Sequence, residues 1–278
     1  MRHSPPIVLS IAGFDPSSGA GITADIKTIA AHGCYGVAVI TALTVQSSRG
    51  VRQVQPTDPE LVTASLEELT ADVKISSVHV GMLGSGEVVN RVADFLEVGQ
   101  LPNLVLDTVL RSSSGMSLVD EPGTKTLVGR LLPLATVVTP NIDEAATLTG
   151  SNVSSLNEMK EAARQLHRMG AQSVVITGGH LQRATDLLSQ KGGQMQTFTA
   201  DRVNSEFTHG TGCAFSTAVA CQLAMGRGLP EAVLLAKAYV TAAIRSAYAV
   251  GSGCGPVNHM YRMKNHPAGL VKQAGGRT

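Results

Sequence analysis

The run Thr208-His209-Gly210-Thr211-Gly212-Cys213 leads directly into Ala214-Phe215-Ser216-Thr217-Ala218-Val219. Small residues let the chain turn tightly, and a helix that starts there aims unpaired N–H groups at whatever lies in front. Those amides and the positive end of the helix dipole suit a phosphate, and the same field favours a thiolate at Cys213. The alternative is a tight loop-to-helix turn with a buried cysteine. Cys221 would share a helix face with Cys213 and reads as packing. A second cluster, Gly13 to Gly21, follows an apolar run from Ile7 to Ala12. In parallel sheets ligands bind outside the carboxyl ends of strands, where such loops gather. Its spacing fits neither GxGxxG nor GxxxxGK[ST]. Asp25, one turn into the next helix, is a candidate polar contact or else an exposed helix carboxylate. In Thr139-Pro140-Asn141-Ile142-Asp143-Glu144, the pair Asn141 and Glu144 at i and i+3 suits hydrated Mg²⁺ beside phosphate. An Asn cap with a first-turn Glu explains the same pattern without a metal. Gly178-Gly179-His180 follows a strand and Asp107 ends one, so four such elements fall at strand ends.

The elements that would hold these residues alternate. Strands are expected at Ile7–Ala12, Gly36–Val45, Val51–Val54, Ser77–Val80, Leu104–Asp107, Thr136–Thr139 and Ser173–Thr177. Helices are expected at Ile22–Ala31, Pro59–Ala71, Gly86–Leu96, Thr124–Leu132, Asp143–Thr149 and Leu156–Met169. That alternation predicts an α/β fold, a mostly parallel sheet with helices on both faces. The pattern changes between Thr185 and Thr199, where Lys191-Gly192-Gly193-Gln194 reads as the turn of a small β-hairpin. Two long apolar helices, Gly212–Met225 and Pro230–Tyr248, follow. Residues 1–265 read as a single domain and 266–278 as a loosely held tail.

Composition narrows the function. The 278 residues carry 22 Lys+Arg against 21 Asp+Glu, a net charge of +1, which excludes a broad electrostatic footprint for nucleic acid or an anionic membrane. Aromatics are scarce, with no Trp, so stacking on single-stranded nucleic acid is not the main device. Cys34, Cys213, Cys221 and Cys254 form no CxxC pair and read as free thiols in a reducing compartment. No apolar stretch approaches a membrane span or a secretory signal, so a cytoplasmic protein is expected.

SIAGFDPSSGAGITADIKT, VITALTVQSSRGV, VGMLGS, VLDTV, VVTPNIDEA, GGHL and THGTGCAFS occur in that order. Together they resemble the hydroxymethylpyrimidine/phosphomethylpyrimidine kinase family of the ribokinase-like superfamily, from about Ile7 to His259. The resemblance implies a ribokinase-like fold and transfer of phosphate from ATP, with Mg²⁺. The acceptors it implies are 4-amino-5-hydroxymethyl-2-methylpyrimidine and then its monophosphate, in thiamin biosynthesis. It casts Cys213 as base or activator of the substrate hydroxyl, and the amides of Gly210, Thr211, Gly212 and Cys213 as an anion hole. Gln46 would read the pyrimidine edge, with Gly13, Asp25, Met82 and Val109 around the ring. Asp107, Arg111, Asn141, Thr177, Thr208 and His209 would lie at the nucleotide and its phosphates, and Glu144 with Asn141 near the metal. The hairpin would lie at the nucleotide end, and family members are usually homodimers.

Two positions depart from the family. Where relatives read VMVAKSG, this chain has Val109-Leu110-Arg111-Ser112-Ser113-Ser114-Gly115, which places Ser113 at a lysine. Where relatives read KGGH, it has Thr177-Gly178-Gly179-His180. A positive charge lost from such a site costs on the order of a few kcal/mol of transition-state stabilisation. Arg111 offers one replacement charge, since a guanidinium suits phosphate. Two alternatives stand beside the main reading: a kinase for a pyridoxal-type alcohol, and a weakly active pyrimidine-binding regulatory homologue.

Overall fold

The structure, a computed structural model, describes residues 4–112, 115–179 and 183–263. Ser113, His180 and the expected tail from 266 onward lie outside them. Among the described residues nine strands form one continuous sheet in the order β3-β2-β1-β4-β5-β6-β7-β8-β9. They are β1 (Ile7–Phe14), β2 (Tyr35–Ser47), β3 (Gly50–Pro56), β4 (Ser77–Val80) and β5 (Leu104–Leu106), then β6 (Val137–Val138), β7 (Ser173–Ile176), β8 (Ala184–Gln190) and β9 (Met195–Ala200). The pairs β1–β2, β1–β4, β4–β5, β5–β6 and β6–β7 are parallel. β3 runs antiparallel on one edge and β8–β9 antiparallel on the other. The expected hairpin is thus an extension of the central sheet, because β8 pairs with β7 from Ser173↔Gln190 to Ile176↔Leu187.

Central strands buried on both faces read as unbroken apolar runs rather than alternating ones. Successive residues enter different cores. Leu9, Leu104, Leu106, Val138 and Ile176 join α2 (Pro59–Asp72), α3 (Gly86–Gly99), α6 (Ile142–Thr149) and α7 (Leu156–Arg168). Val8, Val105, Val137, Val175 and Leu188 join α1 (Gly21–Ala31), α8 (Thr211–Ala224) and α9 (Leu229–Arg245). α8 is buried continuously from Ala214 to Leu223, which is why its sequence shows no polar face. The helix expected from Thr124 starts earlier, as α4 (Glu121–Thr126), because Asp120 caps the Gly123 N–H and Pro122 occupies the first turn. It then passes through a π-helical turn, Leu127–Leu131, into α5 (Leu132–Leu134), which contains Pro133.

Side-chain caps hold the starts of α2, α3 and α7 but not those of α1, α8 and α9. Asp58, Ser85 and Ser155 place side-chain oxygens on first-turn amides of α2, α3 and α7. α8 begins at Gly210, which has no side chain to offer. Among the described residues no acceptor meets the amides of Gly212 and Cys213. These lie at the same end of the sheet as the loop after β1.

Candidate active site

The loop after β1 and the turn before α8 touch through backbone. A Cβ on Gly210, which holds φ +80°, would lie 1.8 Å from the Gly19 carbonyl oxygen. One on Gly19 would lie 2.2 Å from His209 Cδ2. Asp15 organises this loop. Its Oδ1 accepts the Ser17 N–H and hydroxyl, each at 2.7 Å, and Oδ2 accepts from Ala20 at 2.9 Å, Gly19 at 3.2 Å and His209 Nε2 at 2.9 Å. Burial would raise the Asp15 pKa, but these donors, His209 first, bring it below the ordinary carboxylate value. The signal for Asp15 was an Asx turn in Asp15-Pro16-Ser17-Ser18-Gly19, which sequence inspection treated only as a glycine cluster. Gln46 on β2 reaches this assembly: its amide lies 3.2 Å from His209 Nε2 and 3.2 Å from Thr44 Oγ1. Met82 packs over Gly13, where an added Cβ would stand 3.0 Å from the sulfur, and the Met82 carbonyl accepts from Thr41 Oγ1 at 2.6 Å. Gly13, Gln46, Met82 and His209 are therefore brought together.

Cys213 is the third residue of α8. Its thiol lies within electrostatic reach of the Asp107 carboxylate at the end of β5 and of the Gly21 N–H. Behind it runs a buried polar chain. Asp25 takes the Ser10 hydroxyl at 2.6 Å, the Thr217 hydroxyl at 2.8 Å and His79 Nδ1 at 3.2 Å. His79 Nε2 lies 2.9 Å from Ser216 Oγ, which donates to Asp107 Oδ2 at 3.1 Å. Burial disfavours a charged His79, but Asp25 and then Asp107 override it and its pKa rises. The imidazolium can therefore donate to Asp25 with one nitrogen and to Ser216 with the other. Asp25 is fully buried and not the exposed helix carboxylate that was one of its two expectations; both oxygens already carry protein donors.

The thiolate expected at Cys213 is not favoured in this protein. Burial, then the charges of Asp107, Asp25 and Glu144, push its pKa well above the ordinary thiol value. A helix N-terminus carries about half a positive charge, too little to offset desolvation and three carboxylates. Burial pushes Asp107 up to about 6. Burial and the neighbouring Asp107 push Glu144 up to about 8.

Asn141 and Glu144 form a full capping box: Asn141 Oδ1 accepts the Glu144 N–H at 2.9 Å and Glu144 Oε2 accepts the Asn141 N–H at 3.0 Å. The capping alternative is thus the arrangement present, and it uses the Asn141 oxygen. Glu144 also takes the Thr108 hydroxyl at 3.3 Å and stays close enough to Asp107 to raise its own pKa. No group of three or more His, Cys, Asp or Glu able to hold a metal occurs among the described residues. Glu144, which burial and the neighbouring Asp107 hold toward its protonated form, nevertheless fits a hydrated, oxygen-seeking Mg²⁺.

The remaining expected residues are less converged. Val109 is half-buried beside Asp107, its N–H bonded to the Asp107 carbonyl at 2.9 Å. Arg111 is exposed, pairs through its backbone with Ser117 and has no ion-pair partner among the described residues. The Thr208 carbonyl accepts the Thr211 hydroxyl at 2.7 Å and its N–H at 3.2 Å, so that amide is already used. The anion hole narrows accordingly to Gly210, Gly212 and Cys213. Thr177 bonds through its N–H to the Pro140 carbonyl at 2.9 Å. The next amide, Gly178, donates to Asp186 Oδ1 at 3.1 Å, while Lys237 Nζ of α9 donates to Asp186 Oδ2 at 2.7 Å. Lys237, Asp186, His79 and Ser216 carry no local motif, and sequence inspection missed them.

A parallel α/β sheet, an uncapped glycine-rich helix start and a facing carboxylate pair define a ribokinase-like small-molecule kinase. The chain matches the phosphomethylpyrimidine kinase family over residues 15–258, and it belongs to that family. It is 44% identical over 255 residues to the thiamine biosynthesis bifunctional protein ThiED of Geobacter sulfurreducens, covering 91% of this chain and 52% of that protein; it thus spans about half of that relative's length. It is 42% identical over 257 residues to the hydroxymethylpyrimidine/phosphomethylpyrimidine kinase of Streptomyces coelicolor, covering 92% of this chain and 95% of that one. Among solved structures, phosphomethylpyrimidine kinase from Clostridium difficile 630 superposes with a TM-score of 0.77 at 35% identity, covering 86% of this chain and 99% of that one. An ADP complex of Bacillus subtilis pyridoxal kinase gives a TM-score of 0.85 at 35% identity, covering 92% and 98%.

Proposed function

We propose that this kinase phosphorylates 4-amino-5-hydroxymethyl-2-methylpyrimidine and then its monophosphate, using ATP and Mg²⁺. The observation that carries the reading is the juxtaposition at the start of α8. Free amides of Gly212 and Cys213, a Cys213 thiol beside the Asp107 carboxylate, and Gln46 beside His209 surround one end of the sheet. Cys213 holds a proton at rest, so as a base it must release one while accepting another. Asp107 is the neighbouring acceptor: it takes the thiol proton as the sulfur takes the proton of the attacking hydroxymethyl oxygen. The transferring phosphoryl charge meets the Gly212 and Cys213 amides, which need no rearrangement to receive it. Glu144 would hold hydrated Mg²⁺, which when bound supplies positive charge to the phosphate oxygens. Gly13, Met82, Val109 and Gln46 would hold the ring.

Pyridoxal kinases also share this fold, so a pyridoxal-type alcohol is the second reading. Both alcohols, offered together with Mg-ATP, separate the two by the product that accumulates. A homodimer is supported by the exposed β2 side chains Tyr35, Leu43 and Val45 near a sheet edge. No helix among the described residues is long and apolar enough to cross a membrane. A cytoplasmic location accords with the free thiols Cys34, Cys213, Cys221 and Cys254.

A further inference from the structure

The polar atoms around Gln46 can be assigned proton by proton. Asp15 is 3% exposed, and its carboxylate accepts from Ser17, Gly19 and Ala20 amides and the Ser17 hydroxyl. Amides cannot reverse, so the carboxylate stays ionised and accepts only. His209 Nε2 stands 2.9 Å from Asp15 Oδ2 and must carry a hydrogen, since a bare lone pair there would face a negative charge. The same nitrogen stands 3.2 Å from the end of the Gln46 amide. An N–H cannot accept from an NH₂, so the Gln46 atom facing the imidazole is its carbonyl oxygen; the amide has the same outline either way. Its nitrogen then faces Thr44 Oγ1, which donates to the Phe14 carbonyl at 3.0 Å and has a lone pair to spare. The single Nε2 hydrogen is then shared between Asp15 Oδ2, the nearer acceptor, and the Gln46 oxygen. Among the described residues, one N–H and one oxygen lone pair of Gln46 remain without a partner in this assignment.

We propose that Asp15 and His209 are positioning residues that lock the Gln46 amide in one orientation and so choose which ring edge is accepted. The inference rests on the reading of Gln46 as the ring-edge contact. A 4-aminopyrimidine offers a ring nitrogen that accepts beside an amino group that donates, whereas its 4-oxo analogue offers the reverse. A locked amide matches one of these; a freely rotating amide matches both. His209, placed at the phosphates by motif, thereby acts on the ring.

Two measurements on the full chain test this. In protein carrying ¹⁵N-labelled histidine, His209 Nε2 is expected to show a directly bonded hydrogen through its one-bond coupling. A bare Nε2 overturns the proposal. By calorimetry, wild type is expected to bind the 4-amino form more tightly than the 4-oxo form, and His209→Phe to shrink that ratio about tenfold, the scale of one discriminating hydrogen bond. Equal affinities in wild type, or an unchanged ratio in His209→Phe with both forms weakened alike, overturn it as well. Neither measurement needs turnover, so absence of phosphate transfer would count against the kinase reading alone.

Discussion

The two ends of the candidate site differ in how their charges are balanced. At the ring end, Asp15 is surrounded by donors, its pKa is below the ordinary value, and His209 and Gln46 are fastened to it. At the phosphate end, Asp107 and Glu144 sit with raised pKa values, and the Cys213 thiol beside them is raised too. Two of the buried positive groups behind that end are committed to other carboxylates: His79 to Asp25 and Lys237 to Asp186. One end is finished for a neutral, hydrogen-bonding ring. The other holds surplus negative charge and suits a ligand that brings cations with it.

The sharpest way to separate the ends is Cys213→Ala. Transfer is expected to fall on the order of 10³-fold, as for loss of a general base, while calorimetry finds ring affinity unchanged within about threefold. Next is Lys237→Met, which leaves Asp186 buried without its cation. Denaturant unfolding should show a loss of about 3 kcal/mol, the scale for breaking a buried pair, and the KM for ATP should rise more than that for the pyrimidine because Gly178 is released. Glu144→Gln probes the surplus charge itself. Glu144 ionises near pH 8 when folded but near 4.5 when unfolded, so the folded state binds more protons between those values. Without Mg²⁺, the Glu144 contribution to stability therefore falls as pH rises from about 4.5 to about 8. The variant should flatten the decline in Tm across that window and weaken the response to Mg²⁺. The smallest effect is expected from Thr177→Lys, which adds charge beside the Gly178 amide. A gain of about tenfold in kcat/KM for ATP would accord with a missing cation, and no gain would mean the phosphate end is balanced some other way.

Much of the fold was legible because its signals are local. Short unbroken apolar runs and period-3.6 apolar patterns separated by turns marked the β/α alternation, and glycine-rich strand ends marked the site. The start of α8 stood out because Gly210-Thr211-Gly212 is a run of small residues leading straight into an apolar helix. Features that depend on distant partners were not legible. Nothing near His79 or Lys237 announces Asp25 or Asp186, which meet them only after the sheet is assembled. The charge state of Cys213 also went astray for this reason. Its place on the helix points to a thiolate, whereas carboxylates from α1, α6 and the end of β5 decide the balance. Asn141 and Glu144 had two readings of equal local logic, and only the folded backbone shows the capping box. The hairpin was recognised, but its fusion to β7 depends on register across the sheet edge.

The most direct test of the kinase reading is a ³¹P NMR time course of the full chain with Mg-ATP and 4-amino-5-hydroxymethyl-2-methylpyrimidine. The expected result is a monophosphate ester signal that rises first and then gives way to a pyrophosphate ester as ADP accumulates. No new ester signal over a range of substrate concentrations, alongside rapid phosphorylation of pyridoxal under the same conditions, would contradict it.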